Sequence, residues 1–168
     1  MTHPVARWLG CAAASAGCVA IVGFASTHPA YHHANPEAAQ LTVSFTHAGA
    51  RVAECRPLSQ EEIAALAANM RRTTECPRAR VPLRFVLELD GETIVDAVLP
   101  PTGISGDGRS SIYRRIALPS GAHRVTALLR DSRRSDGFDW QKSADVAFAP
   151  RRNFTIDFEP ESGGFEFR

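Results

Sequence analysis

Two cysteines, Cys55 and Cys76, bracket the stretch ECRPLSQEEIAALAANMRRTTEC (residues 54–76), and thiols so placed have three chemistries open to them. They can form a disulfide, act as a redox pair, or ligate a soft metal together with Met70 or His47. A catalytic redox pair usually has C-x-x-C spacing at a helix start, whereas these cysteines stand twenty-one positions apart. On the far side of a membrane they would be the only exported thiols, and one structural disulfide is the expectation. Closing a loop of about twenty residues stabilises a fold by about 3 kcal/mol in the chain-entropy model.

A second set of chemistry-bearing residues lies in PPTGISGDGRSS (100–111) and DSRRSDGFDW (131–140). Asp107, Arg109, Arg133, Arg134, Phe138 and Trp140 are the expected partner-binding residues, because Trp and Arg dominate interface hot spots. Asp131, Asp136 and Asp139 accompany them without a regular calcium-loop pattern. For catalysis the chain shows little: His47 and His123 stand singly, and neither G-x-S-x-G nor H-E-x-x-H occurs. No catalytic residue, no resident metal and no cofactor is expected.

The compartment follows from the N-terminus. RWLGCAAASAGCVAIVGFA (7–25) is one Arg followed by an apolar run close to the roughly 20 residues that a spanning helix needs. No Lys or Arg follows until Arg51, so the positive-inside bias keeps the N-terminus cytoplasmic and exports the rest. The expectation is a single-pass bacterial inner-membrane protein, spanning with residues 8–25, whose soluble domain lies in the periplasm. Cleavage after Ala25 is the alternative, while lipidation at Cys18 suffers from Ser15 standing where a Leu is usual. Residues 26–40 read as a polar, Pro-broken linker carrying Tyr31 and the histidines His28, His32 and His33.

The elements that must position these residues are mainly strands. Val81, Leu83, Phe85, Leu87 and Leu89 occupy alternate positions, as do Leu41, Val43 and Phe45, then Val125, Ala127 and Leu129. With Gly and Pro punctuation between such runs, residues 41–168 predict an antiparallel Ig-like β-sandwich. SIYRRIAL and AHRVTALLRD, joined at PSG, read as a hairpin that would bring 100–111 and 131–140 to one end. One helix is expected in SQEEIAALAANM, capped by Ser59 with Glu62, its face of Ile63, Leu66, Ala67 and Met70 laid on the sandwich. The disulfide would then pin that helix to the sheet.

Charge narrows the partners. Of 19 basic residues only Arg7 precedes Ser26, which leaves 18 against all 18 acidic ones in the exported part. A neutral domain lacks the basic face that nucleic-acid binding needs.

LPSGAHRVTALLRD and FAPRRNFTIDFE resemble the pattern of Ig-like and prealbumin-like periplasmic sandwiches over residues 81–159. CRPLSQEEIAALAANMRRTTECPR is similar to the signature of a proteobacterial membrane-anchored periplasmic family, a resemblance that implies no activity. The layout of one anchor and one β-domain also resembles small accessory subunits of respiratory oxidases. The expected function is therefore a non-enzymatic accessory or assembly protein docking an inner-membrane, plausibly respiratory or redox, complex. A periplasmic copper carrier using Met70, His47 and the linker histidines is the alternative, followed by a carbohydrate-binding module with Trp140 as platform.

Overall fold

The computed structural model describes residues 4–28, Asn35 and 37–168; Tyr31, His32 and His33 lie outside the described residues. The chain divides into two compact units, Met1–Pro36 and Glu37–Arg168. In the first, α1 (Pro4–Thr27) is a 24-residue helix, long and apolar enough over Val5–Thr27 to cross a membrane. Its polar end is reconciled with the helix by back-bonding: Ser26 Oγ donates to the Val22 carbonyl at 2.8 Å and Thr27 Oγ1 to that of Gly23 at 3.3 Å. His28 stacks on Phe24, with ring centroids 4.8 Å apart.

The second unit is a β-sandwich. One four-stranded sheet has the order β10 (Gly164–Phe167), β9 (Asn153–Glu159), β1 (Ala38–His47), β6 (Ser110–Pro119). The other has β5 (Glu92–Leu99), β4 (Leu83–Leu89), β7 (Gly121–Arg130), β8 (Trp140–Phe148). β1 starts at Ala38, so Ala38–Gln40 belong to the sandwich and not to the linker. The Asp90–Gly91 turn between β4 and β5 has positive φ at both residues (53° and 86°), the requirement of a two-residue hairpin that an Asp-Gly pair meets cheaply.

Two expectations of connectivity are corrected. All neighbouring strands in these two sheets run antiparallel except β1 and β9, which pair parallel from Gln40↔Asn153 to Val43↔Ile156. β6 and β7 are not a hairpin: they lie in opposite sheets, and the chain crosses between layers at Pro119–Gly121. The two strands still run in opposite directions, so the loops before β6 and after β7 do emerge at the same end.

The expected alternation forms the core. Leu41, Val43 and Phe45 of β1 meet Leu83, Phe85 and Leu87 of β4 and Val125, Ala127 and Leu129 of β7, all buried. Phe45 contacts Phe85, Phe158 and Phe165 edge-on or tilted at centroid distances of 5.3, 5.8 and 6.3 Å, which are favourable quadrupole geometries. On the edge strand β6, Arg114 stands opposite Val43 on the inner side and reaches solvent, a charge that discourages another strand from adding there.

The region between β1 and β4 departs most from expectation. α2 is only Gln60–Ala65, followed by a single 3-10 turn at Ala68–Met70, and neither buries a residue. Met70 is 57% exposed rather than packed on the sandwich. The cap is as read: Ser59 Oγ accepts from the Glu62 amide and Glu62 accepts from the Ser59 amide. The helix stops early because Leu66 and Ala67 adopt extended ψ angles of 143° and 145°. Replacing Phe85 with Ala should cost the sandwich about 3–5 kcal/mol in urea-unfolding measurements with the unfolding slope unchanged.

Candidate functional site

Cys55 and Cys76 form a disulfide, with Cα atoms 4.2 Å apart. It closes the mouth of an excursion instead of pinning a helix to a sheet. Beside it, β2 (Arg56–Pro57) and β3 (Thr74–Glu75) pair as a two-residue ribbon, and the Leu58 amide donates to the Thr73 carbonyl at 2.9 Å. With no core of its own, the excursion is held by charge. Arg56 donates to Glu62 at 2.9 Å and to Glu75 at 2.7 Å, and Arg72 reaches the other oxygen of Glu75 at 3.1 Å. The Ser59 amide, then Arg56, hold the Glu62 carboxyl below its ordinary value. Two adjoining shallow grooves of about 340 and 270 Å³ run along this ribbon and share Arg56 and Glu75 in their walls; Cys76 and Pro77 line the first, Leu58 and Leu66 the second.

Arg80 joins the base of the excursion to the loop before β6. Its backbone amide donates to Gly106 O at 2.9 Å, its Nε to Asp107 O at 3.0 Å, and its Nη1 to Gly49 O at 2.9 Å. The neighbouring Ala50 amide donates to Asp131 O at 2.7 Å, which brings in the loop after β7. Thus 100–111 and 131–140 do share one end of the sandwich, with strands of chain around 49–51 and 78–81 tying them together. Gly49 is required there: a Cβ would sit 2.3 Å from Val81 O.

The six residues expected to bind a partner fall into two groups. Arg109 and Arg134 are exposed, Arg134 pairing with Asp139 at 3.1 Å, and Arg133 pairs with Glu54 of the excursion at 2.9 Å. Asp107 is paired with Arg78 at 2.6 Å. The two aromatics are not free anchors. Phe138 is half-buried with the Arg84 guanidinium 5.9 Å from its ring centroid, and Trp140 packs on the core, edge-on to Phe158 at 5.4 Å. Asp139 is a frame residue: it accepts from the backbone amides of Asp131 and Ser132 and from the Ser132 hydroxyl at 3.0–3.1 Å.

The most constrained polar group at this end was named from sequence only as a possible metal ligand, not as part of a frame between the sheets. His47, the last residue of β1, continues the inward register of Leu41, Val43 and Phe45, so its ring enters the sandwich and stacks edge-on to Phe158 at 4.9 Å. An inward imidazole needs a partner, and extending the alternation by one step would have flagged it. Asp131 supplies that partner across the two sheets: its Oδ2 lies 2.7 Å from His47 Nε2 and accepts the Trp140 indole N–H at 3.0 Å. The side chains of His47 and Asp131 are only 14% and 19% exposed. Burial pushes the Asp131 carboxyl up, but the bonds from His47 and Trp140 outweigh it and hold it below the ordinary value. An ionised carboxylate only accepts, so His47 Nε2 carries the proton of this bond. Among the described residues no group of three His, Cys, Asp or Glu could hold a metal ion.

Two outcomes follow. Substituting both disulfide cysteines with Ser should free amides 55–76 to exchange with solvent while the protection of β4 and β7 is kept, because the excursion buries nothing in the sandwich; loss of β4 and β7 protection would show the two to be one cooperative unit. Because the Asp131 carboxyl is depressed when folded, the stability it contributes is complete above its unfolded value near 3.8 and is lost as pH falls through the lower folded value. Asp131→Asn should therefore destabilise by about 1–3 kcal/mol at pH 7 and flatten the acid limb of a stability profile.

Comparison with known proteins finds no matching family model, no matching curated protein and no matching solved structure.

Proposed function

We propose that this chain is a membrane-anchored, non-enzymatic docking protein, held by α1 in the bacterial inner membrane with its sandwich in the periplasm, which binds a membrane protein complex, plausibly a respiratory or redox one, through the loop end. The apolar helix, the absence of basic residues between Arg7 and Arg51, and the disulfide all support the placement. Of the two sandwich classes named from sequence, the order β6-β1-β9-β10 over β5-β4-β7-β8 supports the prealbumin-like one.

The observation that carries the docking role is the excursion itself. A disulfide, a capping box and a shared Arg56–Glu75 ion pair fix a segment whose helical turns bury nothing, so the order it gains serves its surface and not the core. Preorganised loops on a rigid scaffold bind without a further ordering cost. Around it Met70 and Val52 are exposed, and Ile104 of the loop before β6 is fully so. Met and Arg are enriched at interfaces, and both are presented here.

Met70→Glu combined with Ile104→Glu changes two exposed side chains, unlike a change at Trp140, whose indole N–H bonds Asp131. The double variant should remain folded, membrane-bound and disulfide-linked, yet lose at least tenfold in the yield of the adduct formed by a photo-crosslinking residue placed at Val52. An adduct of undiminished yield would remove the loop end as the docking surface.

A further inference from the structure

The strand edges of the sandwich are not alike. On one side β8 and β10 are joined across the sheets by Lys142, whose Nζ donates to Phe165 O at 2.9 Å. On the other side β5 and β6 lie over one another and meet at the loop end, where Ser110 Oγ donates to Leu99 O at 2.9 Å. Arg114 guards the β6 edge. β5 has no such guard: its inner positions Val95, Ala97 and Leu99 are apolar, Val98 is 65% exposed, and the strand holds no Pro, Lys or Arg. Asp96 is already tied to Arg84 on the outer face at 2.9 Å.

We infer that β5 accepts an added strand from a peptide segment that carries an acidic residue on its inner face. The Asp90–Gly91 turn makes Leu89 and Glu92 a hydrogen-bonded pair. Counting on through the bulge beside Leu87 leaves Asp96 and Val98 at pairs that exchange no bond with β4. Their N–H and C=O groups therefore point out of the edge of the sheet, where no further strand lies. A strand placed there would also cover Ala97, Leu99 and Ile116, which pack on the core yet are only partly buried. Arg114 calls for the acidic residue. Its side chain starts on the inner side of the edge strand β6, is exposed and so leaves by the open side, and makes no ion pair or hydrogen bond among the described residues. It stands four residues from Ser110 as Val95 does from Leu99, about 13 Å along each strand, so it emerges across from the middle of β5.

Other occupants fit less well. A second copy pairing through its own β5 would bring Val95, Ala97 and Leu99 to the inner side and no carboxylate to Arg114. A helix has no free backbone groups along its length to meet those of Asp96 and Val98. In strand addition the main-chain bonds supply affinity and the side chains supply choice. Here the open edge of β5 supplies the first and Arg114 the second. Met70 and Ile104 take no part, so failure of this inference would leave the docking reading untouched.

The test titrates the full chain, in detergent micelles, with the peptide acetyl-Thr-Val-Thr-Glu-Thr-Val-Thr-amide and with a copy carrying Lys in place of Glu. The Glu peptide should bind saturably and slow the solvent exchange of the Asp96 and Val98 amides, and the Lys peptide should bind at least about tenfold more weakly. Arg114→Glu should invert that preference. Val98→Pro, which removes an outward N–H at a place where an edge strand tolerates proline, should weaken both peptides; should that variant not fold, the inversion at Arg114 still decides. A copy of the Glu peptide methylated at every backbone nitrogen should not bind. Failure of the Glu peptide to saturate in the millimolar range, binding of the methylated copy, or a preference that Arg114→Glu leaves unchanged would overturn the inference. Amide spectra and an intact disulfide establish that each variant is folded.

Discussion

Everything in the sandwich hangs on β1. It is the only strand of its sheet that joins the early and late parts of the chain, laddered to β6 on one side and to β9 on the other. Its inner residues from Ala39 to Phe45 are among the most buried of the protein. Its last inward position, His47, carries the same register out of the apolar core and into the polar frame of Asp131 and Trp140. One period of two residues thus fixes the core, the packing of the sheets and the arrangement of the loop end.

That period is why the sandwich was legible. Alternation in Leu41–Phe45, Leu83–Leu89 and Val125–Leu129 follows from half-buried strands, and nothing in the fold overrides it. Sheet membership was not legible. β6 and β7 alternate like hairpin partners, but alternation records only that one face is buried, not which layer the strand joins. The helix was over-read for a related reason: Ile63, Leu66 and Met70 have helical spacing, but Leu66 and Ala67 turn extended, and no sheet surface is offered to them.

The loop end was legible in place, but the packing of its aromatics was not. Chain direction alone brings 100–111 and 131–140 together. Which of their residues face solvent depends on the packing of Trp140 against Phe158 of the other sheet and of Phe138 against Arg84 of β4, and a single sequence carries no trace of those. The excursion shows the opposite case. Its cysteines and cap were plain, while its independence from the core could be seen only once no residue of α2 proved buried.

The parallel pairing of β1 with β9 also bears on how the molecule comes to exist. Gln40 and its hydrogen-bond partner Asn153 are separated by 113 positions, so the first strand to be made waits for nearly the last. Such non-local contacts make folding slow, because the intervening chain must be ordered before they are rewarded. Until β9 arrives, one side of β1 is an open edge of alternating apolar residues, the kind of template on which neighbouring chains aggregate. The charge of Arg114, which faces inward on β6 and still reaches solvent, then protects more than the finished fold: it helps keep the half-made sheet in solution.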